Sequence, residues 1–469
     1  MRHRETLRRW SVRLGVTAAI ALLWWATARD DAEWMLWRHY PAGIAALNVV
    51  GSLVAIAAAY VLGSASDYAH RFVVATVVLS AIFFTIGLFE LPVALFGHDY
   101  AGDFRTPSDT TWLQLSTGVN RADPELVHVH VPHSRFVGTV TGNLVEFGIP
   151  PTRYQVDVAY DKNGFRNDVD LSRADVVAIG DSFVEAAEVP RADTVAARLG
   201  LRLHATIANL GQSRYGPQQE LVVLERYALP LSPKLVIWFF FGGNDLSDAE
   251  RYERERRHGE APARPGGFAA RSFTRHALTA LARLTTSSRR TVASAARFRA
   301  AAFTDAAGLT ETIYLDFPEG PWTPHQWDLA TAALGRARDV SHRTGADFLI
   351  VYIPRKLRVY RGNIQAPPGT AATEWTLNNL PDALGQWCRD REIDFLDSTT
   401  ALRDAVHRGE SVYIADDVHW NARGHDVVAA AIARHIRDAG MTIAGTTAMD
   451  DDSVPVTPIS SMAPRRPPQ

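Results

Sequence analysis

Three short segments carry residue types that could perform acyl chemistry. Asp175 to Glu185 reads D-V-V-A-I-G-D-S-F-V-E, an apolar run that ends at Gly180 with Ser182 where a helix can begin. A serine there exposes its Oγ, and the positive end of the following helix stabilises negative charge developing beside it. A serine that only caps a helix shows the same local pattern. Leu235 to Asp245, L-V-I-W-F-F-F-G-G-N-D, is a second apolar run, closed by Gly242, Gly243 and Asn244. Glycines let a substrate approach the backbone, and the asparagine amide offers a neutral N–H to an oxyanion, although asparagine also builds plain turns. The third segment, Ile414 to His425, reads I-A-D-D-V-H-W-N-A-R-G-H. A serine nucleophile needs a base within hydrogen-bond reach and an acceptor that orients the base. Asp416 and His419, three residues apart, offer both from one turn. Metal ligation by Asp416, His419 and His425 is the competing reading, and no further cluster completes that set.

Such distant segments meet only if the fold brings their ends together. Apolar runs at Val176 to Ile179, Leu235 to Phe241, Phe348 to Ile353 and Ile393 to Leu396 predict buried strands. Helical patterns at Pro217 to Tyr227, Trp327 to Thr344 and Gly424 to Ala439 lie between and after them. Strands alternating with helices predict a parallel sheet covered on both faces, and open sheets of this kind bind ligands at the carboxyl ends of their strands. The polar ends of the first two segments fall there.

Together the three segments resemble the SGNH, or GDSL, hydrolase family, in Gly180-Asp181-Ser182-Phe183, Gly242-Gly243-Asn244-Asp245 and Asp416-Asp417-Val418-His419, in the same order and spread. The resemblance spans about residues 174–436. It implies a flavodoxin-like, three-layer α/β domain with Ser182 as nucleophile, His419 as general base and acid, and Asp416 as its orienting partner. It also implies an oxyanion hole from the Ser182 N–H and the Asn244 side chain, with Asp181, Gly243 and Asp245 on the substrate side. No cofactor or metal is required. Ala208 to Gln219, A-N-L-G-Q-S-R-Y-G-P-Q-Q, is similar to the family's remaining block, but Arg214 stands where a glycine of the oxyanion hole usually stands. Its backbone N–H survives that change, whereas a position needing φ > 0 would strain an arginine. Tyr160 to Asn167 and Ile353 to Tyr360 also resemble extracytoplasmic members and are expected to wall the site.

Three apolar stretches precede the domain, about Val12 to Ala28, Ala42 to Gly63 and Phe72 to Gly97. Each approaches the roughly 20 residues that cross a hydrocarbon core, so residues 1–98 are expected to form an anchor of three transmembrane helices. Arg2, Arg4, Arg8, Arg9 and Arg13 crowd the N-terminus, while the first loop carries Asp30, Asp31 and Glu33. The positive-inside rule then leaves the N-terminus in the cytoplasm and the catalytic part outside it, with Trp24, Trp25, Trp34 and Trp37 as an outer belt. Glu90, near Pro92, is expected to snorkel or pair locally rather than relay ions.

Residues 99–170 read as a mixed segment with strands that packs on the catalytic domain, residues 171–440. Within it, Leu126 to Val131 alternates as a strand that places His128 and His130 on one face. An insertion at about 249–302, with Arg254, Arg256, Arg257, Arg289, Arg290 and Arg297, reads as an amphipathic lid near anionic lipid or polymer, or as a solvated helical excursion. Residues 441–469, rich in Pro, Ser and Asp from about Thr446, read as a disordered tail.

The 469 residues carry a formal net charge of -2, which gives no reason to expect nucleic acid as a partner. One cysteine, Cys388, excludes an internal disulfide. The expected activity is serine-dependent hydrolysis of an acylated envelope carbohydrate or lipid. An O-acyltransferase with the same triad, and a silent carbohydrate-binding protein of the same fold, are the alternatives.

Overall fold

The computed structural model describes residues 2–27, 35–36, 40–63, 67–96, 98, 100, 119–147, 149, 152–257, 271–286, 299–367, 372–441 and 443. The chain divides into two compact units, Met1–Thr106 with Ala263–Val292, and Pro107–Pro262 with Ala293–Gln469.

The first unit contains the helices Arg2–Thr27, Ala42–Leu62, Tyr68–Phe96 and Phe273–Thr286. Within them, Trp10–Thr27 and Tyr68–Phe96 are long and apolar enough to cross a membrane. The helix expected to be the second crossing, Ala42–Leu62, spans 21 residues, and its described apolar stretch is Leu47–Leu62. Among the described residues, length and composition support two of the three expected crossings. Polar side chains pair between the helices, Trp24 Nε1 with Ser52 Oγ at 3.1 Å and Asn48 Nδ2 with Thr27 Oγ1 at 2.6 Å, contacts suited to surroundings without water.

Glu90 is paired locally. Its carboxylate accepts from Ser272 Oγ at 2.7 Å and from the Thr274 N–H and hydroxyl at 2.8 and 2.7 Å. It thus caps the start of the Phe273–Thr286 helix, satisfying N–H groups the helix leaves unpaired, and Phe89 stacks on Phe273 at 4.5 Å. This part of the insertion packs on the Ala42–Leu62 and Tyr68–Phe96 helices. Its first part, the helix Asp245–Arg257, belongs to the other unit, and Arg254 there is exposed and pairs with Glu250. Arg289, Arg290, Arg297, the first loop with Asp30, Asp31, Glu33, Trp34 and Trp37, and the tail from Thr446 lie outside the described residues.

The second unit is built on five parallel strands: β1 (Val176–Gly180), β2 (Ile207–Gly211), β3 (Leu235–Phe241), β4 (Asp347–Ile353) and β5 (Asp394–Asp397). Their spatial order is 2-1-3-4-5, and every neighbouring pair is parallel. This is the flavodoxin-like order, whose switch point lies between β1 and β3. Every residue of β1 and β3 is buried, as continuous apolar runs in a sheet covered on both faces require. One face packs Val176, Ile237, Phe239 and Val351 on Leu199, Val428 and Ile432. The other packs Val177, Ile179, Trp238 and Ile350 on Leu334, Leu384 and Val223.

The helices begin at recognisable caps. Thr323 and Gln326 close a capping box on Pro324–Arg343, and the Asn421 side chain accepts from Gly424 N at 3.0 Å to start Ala422–Asp438. Strand β2 was missed in the sequence because I-A-N-L-G is short and carries a polar residue. Its last residue, Gly211, has the Val184–Glu185 backbone where a Cβ would stand, so a side chain there would push the Ser182 turn off the sheet. Two antiparallel hairpins, Asn120–Asp123 with Val127–His130 and Arg135–Thr141 with Arg153–Ala159, complete the surroundings of the site.

Candidate active site

Strand β1 ends at Gly180, and a single helical turn, Ser182–Glu185, follows. Asp181 caps it, its carboxylate accepting from Phe183 N at 3.0 Å. One turn is too short for the macrodipole the sequence suggested, so stabilisation of charge at Ser182 must come from individual N–H groups. The loop before the Ala422–Asp438 helix brings the imidazole. His419 Nε2 stands 2.8 Å from Ser182 Oγ, across 237 residues of sequence.

The orienting carboxylate is Asp417, and the expectation of Asp416 is corrected. His419 Nδ1 lies 2.6 Å from Asp417 Oδ1, which also accepts the His419 backbone N–H at 3.0 Å. This is the local turn in which an aspartate side chain takes an N–H two residues on, and it carries the carboxylate to the Nδ1 edge of the ring. Asn143 N donates to the other oxygen of Asp417 at 2.7 Å. Asp416 faces the hairpin instead, accepting from Thr152 N at 2.8 Å and from the Tyr154 hydroxyl, and so fastens the loop to its neighbour.

The electrostatics follow from enclosure. Burial by itself lowers His419, but the Glu188 and Asp417 carboxylates outweigh it and push the imidazole up to about 10. Glu188 was not foreseen. Its Oε1 lies 3.4 Å from His419 Nδ1, and Oε2 is buried without a hydrogen-bond partner among the described residues. Burial, partly offset by the His419 charge, raises Glu188 to about 7. Burial also raises Asp417, yet the His419 charge and the hydrogen bonds to the carboxylate hold it below its ordinary value.

The expected donors are distributed as follows. Arg214 adopts φ +69, so the position does demand the left-handed region, and the arginine tolerates it. Among the described residues its backbone N–H has no hydrogen-bond acceptor. Asn244 follows β3 just before the Asp245–Arg257 helix, its side-chain Oδ1 buried without a hydrogen-bond partner among the described residues. Gly243 lends its carbonyl to Arg355. Asp181 and Asp245 are fully enclosed, and Asp245 accepts from Phe241 N at 2.9 Å. Both carboxylates accept backbone N–H groups in the turns after β1 and β3.

The expected walls of the site act as fasteners. Arg166, buried, donates to the carbonyls of Glu185, Ala186 and Val189, pinning the chain after the serine. Lys356, also buried, donates to the carbonyls of Tyr314 at 3.0 Å, Ile414 at 2.8 Å and Ala415 at 3.2 Å, pinning the loop before His419. The histidines of the Val127–His130 strand are inward fasteners too: His130 is buried against Glu185 at 3.0 Å, and His128 Nε2 meets the Ser213 carbonyl at 3.1 Å. Among the described residues no three His, Cys, Asp or Glu side chains converge as a metal site. His425 packs its ring on Trp420, away from any set with Asp416 and His419.

A serine, imidazole and carboxylate stand in hydrogen-bonded sequence at the carboxyl end of a parallel 2-1-3-4-5 sheet, an arrangement chemically able to activate a serine nucleophile. Residues 325–458 match the family described as SGNH hydrolase-like domain, acetyltransferase AlgX. Over those residues the chain is similar to the SGNH/GDSL family. No curated protein matches it. Among solved structures, it is similar to a lipolytic protein of the G-D-S-L family from Desulfitobacterium hafniense, at 14% identity, 55% of this chain, 98% of that one and TM-score 0.31. A GDSL-like lipase from Bacteroides thetaiotaomicron matches at 12% identity, 56% and 88% coverage and TM-score 0.29. A catalytic mutant of an acetylxylan esterase from Geobacillus stearothermophilus matches at 13% identity, 57% and 95% coverage and TM-score 0.31.

Proposed function

We propose that the protein is a serine-dependent acyl-transfer enzyme, an esterase in the first instance, acting outside the cytoplasm on an acylated envelope carbohydrate or lipid. The observation that carries this reading is the 2.8 Å contact of His419 Nε2 with Ser182 Oγ, backed by Asp417 at Nδ1. His419 takes the hydroxyl proton as Ser182 Oγ attacks the ester carbonyl. The N–H groups of Ser182 and Arg214 and the Asn244 amide hold the oxyanion. The imidazolium returns the proton to the departing alcohol, leaving an acyl-serine. Water, deprotonated by His419, then releases the acid.

O-Acyl transfer to a sugar hydroxyl is the second reading, favoured by the acetyltransferase description of the matching family. It shares the acyl-serine and differs only in the acceptor. The extracytoplasmic placement is supported by the basic N-terminus and the apolar helices of the first unit.

The detergent-solubilised full chain is expected to hydrolyse a short-chain aryl ester, and Ser182→Ala to abolish that turnover. Turnover that persists in the variant excludes the mechanism. Adding carbohydrate acceptors and analysing the products by mass spectrometry separates the readings: acylated sugar identifies transfer, and free acid alone identifies hydrolysis.

A further inference from the structure

Arg214 poses a physical problem. A side chain in the left-handed region costs about 1–2 kcal/mol relative to an ordinary conformation, and such residues persist only where their surroundings over-determine them. Glu185 is central to those surroundings. Fully buried, it stands three residues after Ser182 on the same helical turn. Its Oε2 accepts both the backbone N–H and the hydroxyl of Ser213, at 2.7 and 2.5 Å. Its Oε1 takes the Tyr160 hydroxyl at 2.6 Å and lies 3.0 Å from His130 Nε2, and the Gln212 amide meets that same nitrogen at 2.9 Å. Burial raises Glu185, but His130 and these donors bring it down to about 2, so it serves as an ionised acceptor.

Downstream of Arg214 the loop is held again. The Tyr215 hydroxyl donates to the His128 carbonyl at 2.6 Å, and Arg251 donates to the Arg214 carbonyl at 2.6 Å. Every neighbour of Arg214 is thereby engaged, while the Arg214 N–H itself has no acceptor among the described residues.

We propose that Glu185 is a positioning residue for the oxyanion hole: its carboxylate clamps Ser213 and so holds Arg214 in the left-handed conformation that offers its N–H to the carbonyl under attack. The inference rests on the Ser182 chemistry proposed above. It differs from a stabilising core ion pair in one consequence. Because the clamp acts through the backbone conformation at residue 214, a glycine there, which enters the left-handed region freely, relieves the need for the clamp.

The test uses the full chain and aryl-ester turnover. Removing one oxyanion donor costs about 10²–10³ in kcat, so Glu185→Gln, which misplaces rather than deletes one, is expected to lower kcat by at least about tenfold with KM within about twofold. Adding Arg214→Gly to Glu185→Gln is expected to recover most of that kcat. If Glu185→Gln fails to fold, Ser213→Ala removes one bond of the clamp, with a smaller kcat loss and the same rescue. A folded variant whose kcat stays within about threefold of wild type, or a kcat that Arg214→Gly leaves unrestored, overturns this role while Ser182-dependent turnover stands. A wild-type chain without Ser182-dependent turnover overturns the proposed chemistry and this role with it.

Discussion

The loop Gln212–Tyr215 and the loop Ile414–His419 both bring residues to the serine, and they are fastened by opposite charges. The first is held by a buried anion, Glu185, which accepts from Ser213. The second is held by a buried cation, Lys356, which donates to the carbonyls of Ile414 and Ala415. Each support suits what its loop must keep free. The first loop has to leave a backbone N–H available to an oxyanion, so its support consumes a neighbouring N–H and hydroxyl. The second has to present an imidazole and its carboxylate, so its support takes carbonyl oxygens and leaves those side chains to each other. Both supports lie inside the protein, where an unmatched charge is costly.

The sharpest break in this comparison lies within the second loop. Asp417→Asn is expected to lower kcat/KM by roughly 10⁴, the scale seen when an orienting aspartate is made neutral. Asp416→Asn, acting only through Tyr154 and Thr152, is expected to cost less than about tenfold. Equal losses would mean that the two carboxylates share the orienting role. Next in size is Asn244→Ala, which should lower kcat by about 10²–10³ if the amide is an oxyanion donor. A loss below about tenfold would leave the hole to backbone groups of the first loop.

Lys356→Met leaves buried carbonyls without a donor, and each unsatisfied group costs about 1–3 kcal/mol. Thermal unfolding of the second unit should shift down accordingly, and an unchanged Tm would show that another group holds the loop.

The smallest effect is one of profile. Only neutral His419 can accept the serine proton, and its pKa of about 10 makes kcat/KM rise through neutral pH into the alkaline range. Glu188→Gln removes a charge that holds the proton on the ring, so the acid limb should move to lower pH and the rate at neutral pH should increase. A limb that stays in place would mean that Asp417 alone sets the imidazole.

Strands β1, β3, β4 and β5 were legible because continuous apolar runs in an alternating pattern leave few other folds. Ser182 and His419 were legible because a nucleophile at a strand end and a histidine after a polar turn are local features. The choice between Asp416 and Asp417 was not, since it depends on which way two adjacent side chains leave a turn, and the Asp417 contact with the His419 N–H decides that in space. Glu185, Glu188, Lys356 and His130 were passed over for another reason. Their partners lie on other elements, as with His130 and Glu185 across 55 residues, so nothing in their neighbourhoods marks them. The doubt raised by Arg214 came from a local rule that holds here, for φ is indeed positive, while the clamp that makes it tolerable is a tertiary feature.

The central claim is that Ser182 is the atom donor of the covalent step and His419 its base. Peptide mass spectrometry after a brief reaction of the full chain with a fluorophosphonate tests it directly. One adduct on the peptide containing Ser182, absent in Ser182→Ala and strongly reduced in His419→Ala, is the predicted result. An adduct on any other residue, or equal labelling of Ser182 without the imidazole, would contradict it.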